Sequence, residues 1–148
     1  MNTVNPKYEE DVYGWATHTA ELLRSNKMDE VDFDSIIEEI ESLGRSEKGQ
    51  LTNRLSLILS HLLKWQYQPT RKTRSWDLTI KENRRRFKNI LKDNPSLKSK
   101  LDEILDDAYY YAKLEAGKET SIDEGTFPDL CPYSFEEITN DEFYPGPK

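Results

Sequence analysis

The chain has little of what marks extracellular scaffolds, zinc modules or membrane spans. Its 148 residues include one cysteine, Cys131, and only two histidines. A lone cysteine excludes an intramolecular disulfide, and no CxxC or Cys/His set offers a structural zinc site. That usage predicts a reducing compartment. No run of about 18 apolar residues exists to cross a bilayer, and the opening stretch MNTVNPKYEEDVYGW lacks the basic-then-apolar layout of a secretory signal. Together these absences predict a cytoplasmic protein with no membrane association. Strand signals, low-complexity runs and internal repeats are also missing.

What the chain does have is charge and helical periodicity. Charged residues make up 33% and hydrophobic ones 35%, a balance that would suit disorder if the Leu, Ile, Trp and Tyr were scattered. They recur at helical spacing instead, and the length suits one domain with one core. The net charge of −7 is unevenly spread. Between Lys64 and Lys92 ten basic residues face only Asp77 and Glu82, a local +8, so the remainder carries −15. Such asymmetry permits a polyanion-binding face, which acidic parts of the same chain can neutralise.

Tyr8 to about Ser25 reads as a first helix, with Val12, Trp15, Ala16, Thr19, Leu22 and Leu23 on one side. A second stretch, about 34–67, opens at Asp32 or Asp34, either able to cap backbone N–H groups. Ile36, Ile37, Ile40 and Leu43 form its first buried stripe. Gly44 can break this helix and Ser46 can cap a restart, so one long helix and two with a bend are both open. Leu51, Leu55, Ile58, Leu62 and Trp65 then fall within a sector about 80° wide. Pro69 ends the run, because proline disfavours α geometry at the residue before it.

Ser75 can cap a third helix to about residue 93, with Trp76, Ile80, Phe87, Ile90 and Leu91 inward. Ser96 starts a fourth, running to about Thr120 over Leu97, Leu101, Ile104, Leu105, Ala108, Tyr111 and Ala112. Past Ser121, Pro128, Pro132, Pro145 and Pro147 with Gly125 and Gly146 forbid regular helix over most of the tail. Yet Phe127, Leu130, Tyr133, Phe135, Ile138, Phe143 and Tyr144 are too apolar for a solvated end. The expected architecture is all-α: a single four-helix, bundle-like domain, helical over about 8–120, with an ordered and mostly irregular C-terminal arm over about 121–148. A short turn is expected near Phe135 to Ile138.

Six strings in order, YGWATHTAELLR (13–24), EEIESLGRSEKGQL (38–51), HLLKWQYQP (61–69), SWDLTI (75–80), NPSL (94–97) and ETSIDEGTFPDLCPYS (119–134), resemble the bacterial family called domain of unknown function 29. The resemblance covers nearly the whole chain. It implies a compact helical fold and carries no activity and no catalytic residue.

Residues seven apart on a helix differ by about 10.5 Å of rise and about 20° of rotation. Glu47, Arg54, His61 and Gln68 therefore form a polar row beside the apolar stripe. Histidine suits proton transfer near neutral pH, and Arg54 suits a developing phosphate anion. The Arg-six-His spacing is similar to the Arg and His motif of the helical HEPN ribonucleases, although Leu55 stands where those enzymes usually have a polar residue. The competing role is a salt bridge or hydrogen bond to a neighbouring helix. Glu38, Glu39 and Glu41 invite a metal, with His61 as a nitrogen donor. Lys64 three residues after His61 is unsuited to a metal site, so no metal and no cofactor is assigned.

The basic and aromatic stretch KWQYQPTRKTRSW (64–76), followed by Arg84, Arg85 and Arg86, has the components of a nucleic-acid surface. Trp65 and Trp76 sit at core positions, however, and the pI near 5.0 argues the other way. Cys131, with no base nearby, reads as a packed thiol. The function expected from sequence is a non-enzymatic helical module that binds a protein or itself, with nucleic acid less favoured. The alternative is a metal-independent, HEPN-like ribonuclease using Arg54 and His61.

Overall fold

The structure, a computed structural model, describes residues 5–147. Those residues form five α-helices joined by short 3-10 turns, with no strand among them. The all-α, bundle-like class expected from periodicity is what the chain adopts. The helices are α1 (Val12–Arg24), α2 (Phe33–Tyr67), α3 (Arg74–Asp93), α4 (Leu101–Thr120) and a short α5 (Phe135–Thr139). By compactness the chain divides into a unit ending at Arg45 and another beginning at Ser46, the division falling inside α2.

In the N-terminal unit, α1 opens four residues later than periodicity suggests. Residues 8–10 form a turn, and Asp11 accepts from the Gly14 amide at 2.9 Å as the N-cap. A Cβ on Gly14 would lie 2.4 Å from the Asp11 carboxylate. A side chain there would make the capping carboxylate shift aside. Ser25 ends the helix, and the chain reverses through Asn26 at φ 57°, a left-handed conformation that asparagine tolerates. Asp32 accepts from the Ser35 amide and hydroxyl at 3.2 and 2.6 Å, which settles the choice of cap for α2 and holds its own carboxyl below the usual range. Tyr8 stacks edge-on against Trp15 at 4.8 Å and donates to Glu39 at 2.6 Å.

Gly44 does not break α2, which is continuous over 35 residues. Its first half corrects the sequence expectation in another respect. Ile37, Ile40 and Leu43, expected to be buried, are 53%, 63% and 63% exposed. On α1 the same correction applies to Val12, Ala16 and Leu23, while Trp15, Thr19 and Leu22 are covered.

The second unit holds the apolar core. Leu51, Leu55, Ile58, Leu59, Leu62 and Leu63 of α2 are fully buried with Ile80 and Phe87 of α3 and with Ile104, Ala108 and Ala112 of α4. Thr73, rather than Ser75, caps α3 by accepting from the Trp76 amide. The segment expected to open the fourth helix forms a 3-10 stretch, Pro95–Lys100, before α4 begins. On α4 the covered tyrosine is Tyr109, whereas Tyr111 is exposed. Ser121 ends α4 at φ 62°, donating its amide to Gly117.

The arm is ordered and covered where it meets the helices. Phe127, Tyr133 and Ile138 are buried, Tyr109 donates to the Pro128 carbonyl at 2.5 Å, and Tyr133 donates to Gln66 at 2.7 Å. The expected turn near Phe135 is α5, opened by a reciprocal capping box between Ser134 and Glu137. Leu130 departs from expectation at 81% exposed.

Candidate functional site

Arg54 and His61 lie two turns apart on the second half of α2, as the heptad row requires, and each is occupied. The Arg54 Nη1 donates to Asn83 Oδ1 of α3 at 3.2 Å. His61 Nδ1 lies 2.8 Å from the Leu57 carbonyl on its own helix. A carbonyl only accepts, so Nδ1 carries the proton and Nε2 is the acceptor. Nε2 in turn faces the Lys64 ammonium at 3.4 Å. Burial, and then the Lys64 charge, push the imidazole below its ordinary 6.5. The ring is held neutral, with both nitrogens engaged.

Lys64 is the hub of this corner, and sequence reading treated it only as an obstacle to metal. Only 3% of it is exposed. Its ammonium donates to Glu119 of α4 and to His61, and it sits 4.9 Å from the centre of the Trp76 ring. Burial, the largest influence, raises the Glu119 carboxyl, but the bonds to Lys64 and Glu115 and the Lys64 and His61 charges together outweigh it, and the net direction is down. A charge this deeply buried survives because carboxylate, imidazole and aromatic face surround it. Gln68, the last of the row, donates to the Thr120 carbonyl at the end of α4. The row is thus a seam of polar ties from α2 to α3 and α4.

The three consecutive arginines of α3 separate on folding. Arg84 is fully buried. Its Nε donates to the Ile138 carbonyl at 2.7 Å, its Nη2 to Phe143 at 2.7 Å and Glu137 at 3.4 Å, and its Nη1 to Asp141 at 3.5 Å. The guanidinium also lies 5.3 Å from the Tyr144 ring centre, and Tyr144 donates to Asp77. Arg84 is therefore a clamp on the arm and is unreachable by a phosphate. Arg85 and Arg86 are exposed, Arg86 pairing with Glu82 one turn earlier at 3.0 Å. Lys88 pairs with Asp141 of the arm at 3.2 Å, and Lys81 with Asp77 at 3.0 Å. Much of the basic segment is answered by its own helix and by the arm.

Among the described residues, no group of three or more His, Cys, Asp or Glu side chains is placed to hold a metal ion. Cys131 is half-buried and donates to the Tyr133 carbonyl at 3.4 Å, and burial pushes its thiol up. No helix among the described residues is long and apolar enough to cross a membrane.

The surface that sequence reading missed belongs to the N-terminal unit. At 100° per residue, Phe33, Ile36, Ile37, Ile40 and Leu43 fall within a sector about 120° wide. All but the half-buried Ile36 are exposed. Ser35, which is buried, and Glu39, bonded to Tyr8, lie on another side of the same helix. Glu41 and Asp34 lie about 40° and 60° beyond the Ile37 edge of the apolar sector, whereas Glu38 falls on nearly the opposite side of the helix. The stripe was legible as a stripe. Its exposure was not, because periodicity locates a face without saying what covers it.

An all-α bundle-like fold with an ordered arm, tied by Lys64 and Arg84, is the class these features define. The chain belongs to the family described as domain of unknown function DUF29, whose model matches residues 7–144. No curated protein and no solved structure matches the chain.

Proposed function

We propose that this protein is a non-enzymatic helical binding module, acting in the cytoplasm, whose N-terminal unit docks another protein through the exposed stripe of α2. The observation that supports it is the stripe itself: Phe33, Ile37, Ile40 and Leu43, four large apolar side chains in line, each about half exposed or more. Scattered exposed leucines need no explanation, but a contiguous apolar row rimmed by carboxylates is the usual form of a contact surface. Full burial of such a side chain is worth about 1.5–3 kcal/mol, and covering the exposed half of each of the four supplies roughly half of that apiece, the apolar centre of a wider interface rather than the whole of its affinity.

The Arg54 and His61 row fits a structural role better than a catalytic one. A general base needs an imidazole nitrogen open to substrate, and here Nδ1 is engaged with Leu57 and Nε2 faces an ammonium. The single reduced thiol suits the cytoplasm.

Site-specific photo-crosslinking in cells that naturally express the chain tests the proposal. A photoreactive residue at Ile40 should yield a discrete protein adduct, and one at exposed Arg24 should not. Adducts at neither position, together with chelator-resistant RNA cleavage lost in His61→Gln, would replace the binding module with the ribonuclease.

A further inference from the structure

The surroundings of the stripe specify what kind of protein surface fits it. Of the first 45 residues, eleven are acidic and four basic, so this part carries −7, while residues 46–148 hold seventeen of each sign and balance to zero. The whole net charge of the chain thus sits in the unit that exposes the apolar row. Asp34, Glu38 and Glu41 share the α2 segment with Phe33, Ile37 and Ile40, and Asp29 and Glu30 lie in the 3-10 turn just before it. Among the described residues, none of Asp34, Glu38 and Glu41 is paired with a cation.

A second copy of the chain is a poor occupant, because face-to-face association would bring −7 against −7 across an interface of low dielectric. The acidic border favours a partner whose own apolar ridge is flanked by lysine or arginine. From Phe33 to Leu43 the stripe runs about 15 Å, long enough to meet the apolar face that a partner helix presents at i, i+3 or i+4, i+7 and i+10. Resting on the docking role given above, we infer that the N-terminal unit recognises a basic amphipathic helix of another protein. The stripe supplies the contact area, and Asp34 and Glu41 beside it, within the acidic unit, supply sign selection and faster encounter.

Fluorescence anisotropy with synthetic helical peptides tests this on the full chain. One peptide carries leucines at three-four spacing with lysines elsewhere, a second replaces every lysine by glutamate, and a third scrambles the first. The amphipathic lysine peptide should bind at least about tenfold more tightly than either other at low salt. Its advantage over the glutamate peptide should shrink as salt shortens the screening length. Ile37→Gln/Ile40→Gln should abolish binding with charge unchanged, and Asp34→Lys/Glu41→Lys should shift preference towards the glutamate peptide. Circular dichroism confirms that the variants fold.

Equal binding of the lysine and glutamate peptides would overturn the basic-partner inference and leave the docking face standing. Equal binding of the scrambled peptide would show charge attraction alone, overturning the inference. If no peptide binds while the chain dimerises through Ile40 in sedimentation equilibrium, the occupant is a second copy and the inference falls. No peptide binding, no dimer and no adduct at Ile40 would remove both the inference and the docking role.

Discussion

Arg84 carries a planar fork of donors, and the carbonyls of Ile138 and Phe143 each accept from it at 2.7 Å. Truncation leaves those acceptors buried and unanswered, at about 1–3 kcal/mol each. Arg84→Met should therefore destabilise the chain by about 2–5 kcal/mol in urea unfolding. Arg84→Lys should recover only part, since an ammonium cannot span the same acceptors. An Arg84→Met variant as stable as wild type would mean the arm is held by apolar contacts alone. His61 yields a prediction in pH. Its pKa is lowered on folding by burial and by Lys64, so the unfolded chain takes up the proton first. Its contribution is present above pH 6.5 and declines as pH falls from there towards the lowered value. Between pH 7.5 and 5.5, wild type should lose more stability than His61→Gln. Parallel pH profiles would show that the imidazole titrates as it does in the unfolded chain.

At the scale of the element, the arm is the least regular segment and one of the most firmly tied. Phe127, Tyr133 and Ile138 are buried in the core of the second unit, and the Arg84 clamp adds its hydrogen bonds. Removing residues 121–148 should lower the melting temperature and expose a dye-binding apolar surface on α3 and α4. An unchanged melting curve would make the arm an appendage. The arm's order was legible from seven apolar residues among prolines. The helices were legible from periodicity, to within a few residues at most ends, and misplacements have local causes. Thr73 rather than Ser75 caps α3, and Asp11 starts α1 beyond the expected Tyr8, because their side chains meet the amides of Trp76 and Gly14. Tyr109 and Tyr111 differ by 200° around α4, and with tyrosines at 109, 110 and 111 composition could not choose the inward one. Arg84 was read with Arg85 and Arg86 because a run of like residues hides the 100° step that sends one inward.

For the whole molecule, what the sequence could not reveal was the allocation of surface. Periodicity marked both halves of α2 as apolar on one side, and the same rule applied to both. Leu51 to Leu63 are covered by α3, α4 and the arm, whereas Ile37, Ile40 and Leu43 are left exposed. Burial depends on partners distant in sequence, so a stripe alone does not distinguish core from contact surface. The central claim is that Ile37 and Ile40 are surface residues available to a partner. The most direct test is urea unfolding of purified Ile37→Gln/Ile40→Gln beside wild type, glutamine being chosen because it is as good a helix former as isoleucine or better. Exposed positions predict a stability change within about 0.5 kcal/mol. A loss of several kcal/mol, as truncating two core isoleucines would produce, would contradict the account and return the stripe to the core.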